Sequence, residues 1–560
     1  MRPRIFVTLS VLFLLFSLLP TGYEIAYRQK IKPIRAFELV HNFPTDYNFY
    51  LSRIRQGLEG RTTVEEKYTS EPHRGSFLQE FYLVLGWVGR VLRIPPNHAW
   101  LVYHAARIVF GFTLLLLIGW IAQRTLPRGI WQVVGYLLAV TASSWPIVAI
   151  ENGQILFYGY MRWWSVMDNL LRIIFIPHIL VGQALIIVLC ILLADDAVLK
   201  RWRNWFLLGF GGFVLGIIFP PGLLFVWVVL GVLIMIEIVW ILRSKQRFQV
   251  KTFLTSRVIP RVIVLAMSAP SLLYLNLMLT FYPWKRLAEF DVLHPLPFRF
   301  VEYFQAVGPV LPLGLFGLIL AFARKETSQR AVIAWVIAWL ACLGVFRYIP
   351  QQSPLRFSEM TPHIPLAILT AYLFLQLYIS GVQLKKYAHV IVQKISFILP
   401  FTVIVAGIFL MVAAWIAQRD FLDHKMRADY PLVPTGTYVM YPMKEFTAAM
   451  RFLEENTPRD IIVLSDTTAG NYIPVYAGKF VYIGHDNTVG LEQKTLYARA
   501  FFSGRTSVDD ARKWIAQERM SYVFFGPQEM ENNSIKELGN VYPFLSEVYR
   551  SEWFRIYKVK

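Results

Sequence analysis

The sequence predicts a polytopic α-helical membrane protein of about eleven transmembrane helices, with a small extracytoplasmic α/β domain at its C-terminal end. Three observations carry this. Of 560 residues, 56% are hydrophobic and only 16% charged, and the mean hydropathy is +0.46, outside the range of ordinary soluble or disordered chains. Apolar runs of about 20 residues recur as far as Trp415, each read as long enough to cross ~30 Å of hydrocarbon as a helix. Beyond Trp415 the composition becomes that of a soluble domain.

The formal charge of +20 raises the question of nucleic acid. Much of that charge flanks apolar runs, where it orients spans and meets anionic head groups. No basic and aromatic ladder lies on a soluble module, so no nucleic-acid partner is expected. Cys190 and Cys342 both lie inside apolar runs, and no disulfide framework is implied.

The elements follow in order. The run 5–19 stands behind MRPR and lacks a small-residue cleavage site, so it reads as an uncleaved span with a cytoplasmic N-terminus rather than a signal peptide. A polar loop, 20–97, comes next. Within it, 77–94 is apolar but carries Gln79, Glu80, Arg90 and Arg93, which fits an interfacial or re-entrant helix. Further spans are predicted at 100–121, 129–150, 178–193, 206–219, 223–242, 258–279, 310–323, 331–346, 363–379 and 395–415.

Charge gives an independent check on this path. The expected inner turns hold Arg124 and Arg128; Lys200, Arg201 and Arg203; Arg243, Lys245, Arg247 and Lys251; Arg324, Lys325 and Arg330; and Lys385, Lys386 and Lys394. By the positive-inside rule these are cytoplasmic, which puts loop 20–97 and the tail outside a cell membrane. The chain then divides into a membrane domain, 1–418, and an outer domain, 419–560. In the tail, helices are expected at 443–456, 491–502 and 508–518, and strands at 460–465, 472–476, 479–483, 522–525 and 554–559. Such alternation indicates a small α/β layer structure.

Chemistry concentrates in the first outer loop, HNFPTDYNFYLSRIRQGLEGRTTVEEKYTSEPHRG, from His41 to Gly75. A carboxylate at Asp46 is placed to accept a proton or hold a metal ion; as a helix N-cap it would be purely structural. Glu71, His73 and Arg74 stand in SEPHRG, where substrate contact and a solvated loop are both open. Asp168 and Arg172 are one helical turn apart and suit either a mutual pair or a ligand. Arg356 and His363 precede an apolar span; an arginine there suits a lipid phosphate or simply snorkels to head groups. HExxH, paired-Cys, P-loop, GxSxG and GxGxxG motifs are absent.

A short N-terminus, one span, an outer loop with an acid soon after the membrane, many further spans and an outer soluble domain resemble the GT-C superfamily of polyprenyl-phosphate-dependent glycosyltransferases. The segments DYNFYLSRIRQGLEG…SEPHRG and NTPRDIIVLSDTTAGNYIPVYAGKFVYIGH carry the resemblance. No WWDYG-like motif accompanies them, and the Asp-Asp pairs of the chain, Asp195-Asp196 and Asp509-Asp510, lie outside both segments. The resemblance implies a hexosyltransferase-type enzyme. It would move a sugar from a polyprenyl-phosphate donor to a glycan, lipid or protein acceptor, with a divalent metal as an optional cofactor. It implies Asp46 as general base and Tyr47, Glu71, His73, Arg74, Asp168, Arg172, Arg356 and His363 as substrate contacts. Two rival readings remain from the sequence: a lipid or polysaccharide transporter or flippase, and a non-catalytic factor in cell-envelope polysaccharide assembly.

Overall fold

The structure, a computed structural model, describes residues 4–151, 153–161, 163–244, 249–296, 298–349, 353–383, 387–428, 440–531 and 535–560. The expected turn residues Lys245, Arg247, Lys385 and Lys386 lie outside these. The chain is a polytopic helical membrane protein. Among the described residues six helices are long and apolar enough to cross a bilayer: Pro96–Thr125, Pro220–Arg243, Val250–Met278, Thr327–Phe346, His363–Val382 and Val390–Arg427. Two bent pairs raise this to eight, Arg4–Ser17 with Leu19–Ala26 (45°) and Phe300–Val307 with Val310–Ala323 (84°). Ile130–Thr141, Pro177–Leu193 and Trp202–Ile218 are shorter apolar helices.

Two compact units form. The first comprises Met1–Leu19, Ala106–Tyr274 and His294–Gln418. Some of its helices approach closely where a glycine removes the side chain, as small residues permit in a membrane. A Cβ at Gly317 would lie 2.1 Å from the Leu369 carbonyl oxygen, and one at Gly314 would lie 2.7 Å from that of Leu366. Residues 129–150, expected as one span, are helical only over Ile130–Thr141. Pro146–Glu151 (β1) and Gln154–Gly159 (β2) then form an antiparallel hairpin. Pro146 has no amide hydrogen to continue a helix, and the β-branched run after it favours a strand.

Charge is also buried inside the first unit. Glu237 accepts from Arg261 through both carboxylate oxygens, at 2.8 Å each, and pairs with Arg330 at 2.9 Å. Arg261 also donates to the Leu193 carbonyl. One carboxylate thus ties three helices together and reaches the end of a fourth.

The second unit comprises Pro20–Ala105, Leu275–Leu293 and Arg419–Lys560. Its sheet runs β4-β3-β5-β7-β6, with β3 Ile462–Leu464, β4 Phe480–Val481, β5 Met520–Phe525, β6 Leu545–Arg550 and β7 Arg555–Val559. β3 is parallel to β4 and β5, and β7 is antiparallel to β5 and β6. Helices Lys444–Asn456, Thr467–Tyr476, Leu491–Phe502 and Val508–Gln517 complete an α/β layer structure. Residues 472–476, expected as a strand, belong instead to the helix Thr467–Tyr476, whose start is capped by the Asp466 carboxylate accepting from the Thr467 amide. β6 was not expected.

Candidate active site

The helix Pro44–Leu58 places Asp46. Pro44 occupies its first position, where a missing amide hydrogen costs nothing. Tyr47, Leu51, Ile54 and Leu58 follow at helical spacing and pack in one core with Tyr82, Val102 and Tyr103. A second helix, Glu80–Val91, crosses it at Gly57 and Gly86; a Cβ at Gly86 would meet the Ile54 carbonyl oxygen at 2.2 Å. The N-cap is Phe43, not Asp46. Asp46 stands in the first turn with its side chain 49% exposed, where the positive end of the helix favours a carboxylate.

The rest of the loop is held by buried charge. Arg53 lies over the Phe49 ring and pairs with Glu66 at 2.5 Å. Arg55 donates to the carbonyls of Val475 and Tyr476, closing the end of the helix Thr467–Tyr476, and pairs with Glu454 at 2.8 Å. Lys67 donates to the Gly478 carbonyl, and burial pulls its pKa down to about 8. The two imidazole nitrogens of His73 contact the Glu66 amide at 2.9 Å and the Glu71 carbonyl at 2.8 Å, so the ring shapes the loop. Glu71 pairs with Lys494 at 2.7 Å. Arg74 is exposed. Tyr47 is fully buried, with its hydroxyl 3.2 Å from His104 Nε2.

Facing Asp46 is a residue that the sequence analysis did not single out. His485 follows β4, and its Nε2 lies 3.7 Å from Asp46 Oδ1. The ring is 6% exposed, stacked on Phe49 at 4.7 Å between centroids and tilted against Tyr68 at 5.4 Å. Its Nδ1 accepts the Asn487 amide hydrogen at 3.1 Å, which assigns the ring proton to Nε2. That Nε2 is sealed from solvent and has no hydrogen-bond partner among the described residues. The segment reaches this position because Gly484 packs directly on Gly470; a Cβ at Gly470 would meet the Ile483 carbonyl oxygen at 1.9 Å. Asn48 Nδ2 donates to Asn471 Oδ1 at 2.8 Å, joining the two helices beneath. The only signal for His485 in the sequence is a Gly-His pair at a strand end, too common to single out.

The remaining candidates belong to the first unit. Asp168 Oδ1 accepts the amides of Leu170 and Leu171, which ties it to the local backbone; burial raises its pKa. Arg172 is buried and donates through Nη2 to the carbonyls of Ala142 (2.5 Å), Val140 (3.0 Å) and Ala139 (3.4 Å), closing the end of the helix Ile130–Thr141. Burial pushes its pKa down to about 10. Arg172 and His363 line one cavity of about 20 Å³ with Gln183 and Thr361, room for about one water molecule. Arg356 is half-buried in the turn Pro354–Met360.

Among the described residues no group of three or more His, Cys, Asp or Glu side chains is arranged to hold a metal ion.

No family model and no curated protein matches the sequence. Solved structures do. The chain matches the oligosaccharyltransferase AglB of Archaeoglobus fulgidus in its apo form with a TM-score of 0.53 at 11% identity, over 99% of this chain and 74% of that one. Against AglB in complex with an inhibitory peptide and a dolichol-phosphate the TM-score is 0.52 at 11% identity, over 94% and 70%. ArnT of Cupriavidus metallidurans, bound to undecaprenyl phosphate, gives 0.47 at 12% identity over 99% and 97%. At such identities the likeness to AglB is one of fold. The chain shares the fold of AglB.

Proposed function

We propose that this protein is an integral membrane glycosyltransferase that moves a sugar from a polyprenyl-phosphate donor to a hydroxyl-bearing acceptor on the extracytoplasmic side. Asp46 is its general base. The observation that carries the reading is Asp46 itself, a half-exposed carboxylate at a helix start with no capping duty, in a chain with the fold of AglB. The neighbour's dolichol-phosphate supports the donor class.

In this reading Asp46 takes the proton of the acceptor hydroxyl as its oxygen attacks the anomeric carbon. The bond from that carbon to the phosphate oxygen breaks, polyprenyl phosphate leaves, and one displacement inverts the anomeric centre. The developing phosphate charge calls for a preorganised cation. Arg356 is assigned that role from its place just before the apolar span 363–379.

Asp46→Asn tests the base. It keeps size and polarity but cannot take a proton. Transfer should fall by ~10²–10⁴-fold, with expression and melting temperature near wild type. Full activity in Asp46→Asn would show that the base lies elsewhere.

A further inference from the structure

His485 Nε2–H is a buried donor without a partner, and an unmade buried hydrogen bond is costly. Its tautomer is fixed from behind by the Asn487 amide, and its ring is clamped by Phe49 and Tyr68. The Asp46 carboxylate stands 3.7 Å away, beyond the ~2.7–3.2 Å of a hydrogen bond. Asp46 is the mobile partner of the two: its side chain is 49% exposed, against 6% for His485. A rotation of Asp46 about its own side-chain bonds closes the gap without moving the clamped ring.

We propose that His485 is a positioning residue for Asp46: its Nε2–H takes one carboxylate oxygen and turns the other toward the acceptor hydroxyl. The proposal rests on the reading of Asp46 as base. Because Nε2 is sealed from solvent, His485 acts through Asp46 rather than on the substrate. The two residues come from opposite ends of the chain, so the base is correctly held only when the first outer loop and the segment after β4 are assembled together. The close Gly470–Gly484 contact serves that assembly.

The test uses the full chain in phosphatidylethanolamine–phosphatidylglycerol vesicles. Radiolabelled polyprenyl-phosphate glucose and mannose are the donor probes, and alkyl glycosides are the acceptors. His485→Phe keeps the stacked ring and loses the donor; kcat should fall about 10- to 100-fold while KM for both substrates holds. His485→Gln can place an N–H near the Nε2 position and should recover most of the rate. His485→Asn is too short to reach and should not; this Gln–Asn pair decides the matter if the Phe variant fails to fold. In an Asp46→Asn background His485→Phe should add no further loss, because it acts only through the carboxylate. A silent His485→Phe beside an inactive Asp46→Asn overturns this inference and leaves the base intact. Equal rates for Gln and Asn, or additive losses in the double variant, overturn it as well. An active Asp46→Asn, or no turnover of either donor by the wild type, counts against the base and this inference together.

Discussion

Asp46 sits inside the first turn of its helix, and this changes what its loss should cost. An N-cap residue replaced by alanine costs about 0.5–2 kcal/mol. Here Phe43 holds the cap, so Asp46→Ala should cost only the interaction with the helix end, about 0.3–1 kcal/mol, while lowering transfer as much as is expected of Asp46→Asn. Thermal unfolding of the two variants side by side checks this. A second carboxyl gives a pH prediction. Glu529 is 3% exposed and accepts the amides of Asp466 and Gly526; burial, and then the Asp466 charge, push its pKa up to about 7. Unfolded glutamates titrate near 4.3, so the folded state holds this proton more tightly. Its stabilisation is complete below about pH 4 and is lost as the pH rises through about 7. Glu529→Gln should flatten melting temperature against pH across that window, and an unchanged slope would refute the assignment. At this scale the sequence showed Asp46 by its place after the first span. The partners of Asp168, Arg172 and His73 are backbone carbonyl and amide groups, which no side-chain pattern reveals.

Elements were legible where one physical signal dominated. Long apolar helices such as Pro220–Arg243 were plain from length alone. β1 falls at the end of the expected span 129–150 because its residues are as apolar as a membrane helix; Gly153 at φ 76°, with Asn152 before it in the sequence, is the turn signal that ends it. In Thr467–Tyr476 the β-prone NYIPVY run was outweighed by the Asp466 cap and by packing at Gly470. Glu237 and Arg261 are buried within the expected spans 223–242 and 258–279. A paired intramembrane charge of this kind serves as a staple. Glu237→Ala would strand two buried guanidinium groups and should cost about 3–5 kcal/mol, read as a large drop in melting temperature in detergent. Glu237→Met with Arg261→Met should be milder than either single change if the pair is structural. Greater loss in the double variant would point to another role.

For the whole molecule the open question is which side each end faces, and here the first unit supplies geometry that hydropathy does not. The basic turns meet at one end of it. Arg330 pairs with Asp196 at 2.8 Å, Arg257 bonds the same carboxylate, Arg124 pairs with Asp195 at 3.3 Å, and Lys325 donates to Ser244 at 2.7 Å. The first helix begins there too, since Phe6 lies against Gly119, close to Arg124 in sequence. The long helix Tyr387–Arg427 leaves that end in the same direction as Ile130–Thr141: Phe397 stacks on Trp131 at 5.3 Å, and ten residues on Gly407 meets the Thr141 carbonyl. The positive-inside rule predicts a cytoplasmic basic end, and on that prediction the chain beyond this helix should be extracytoplasmic. Cysteine labelling can decide it, because both native cysteines are buried, at 0% and 2% exposure. Lys200 lies on a basic turn and Lys513 in the tail, and both are exposed. Lys513→Cys should react with a membrane-impermeant maleimide in intact cells, and Lys200→Cys only after the membrane is opened. The reverse pattern would invert the topology and place Asp46 on the cytoplasmic side, where the proposed transfer could not occur as drawn.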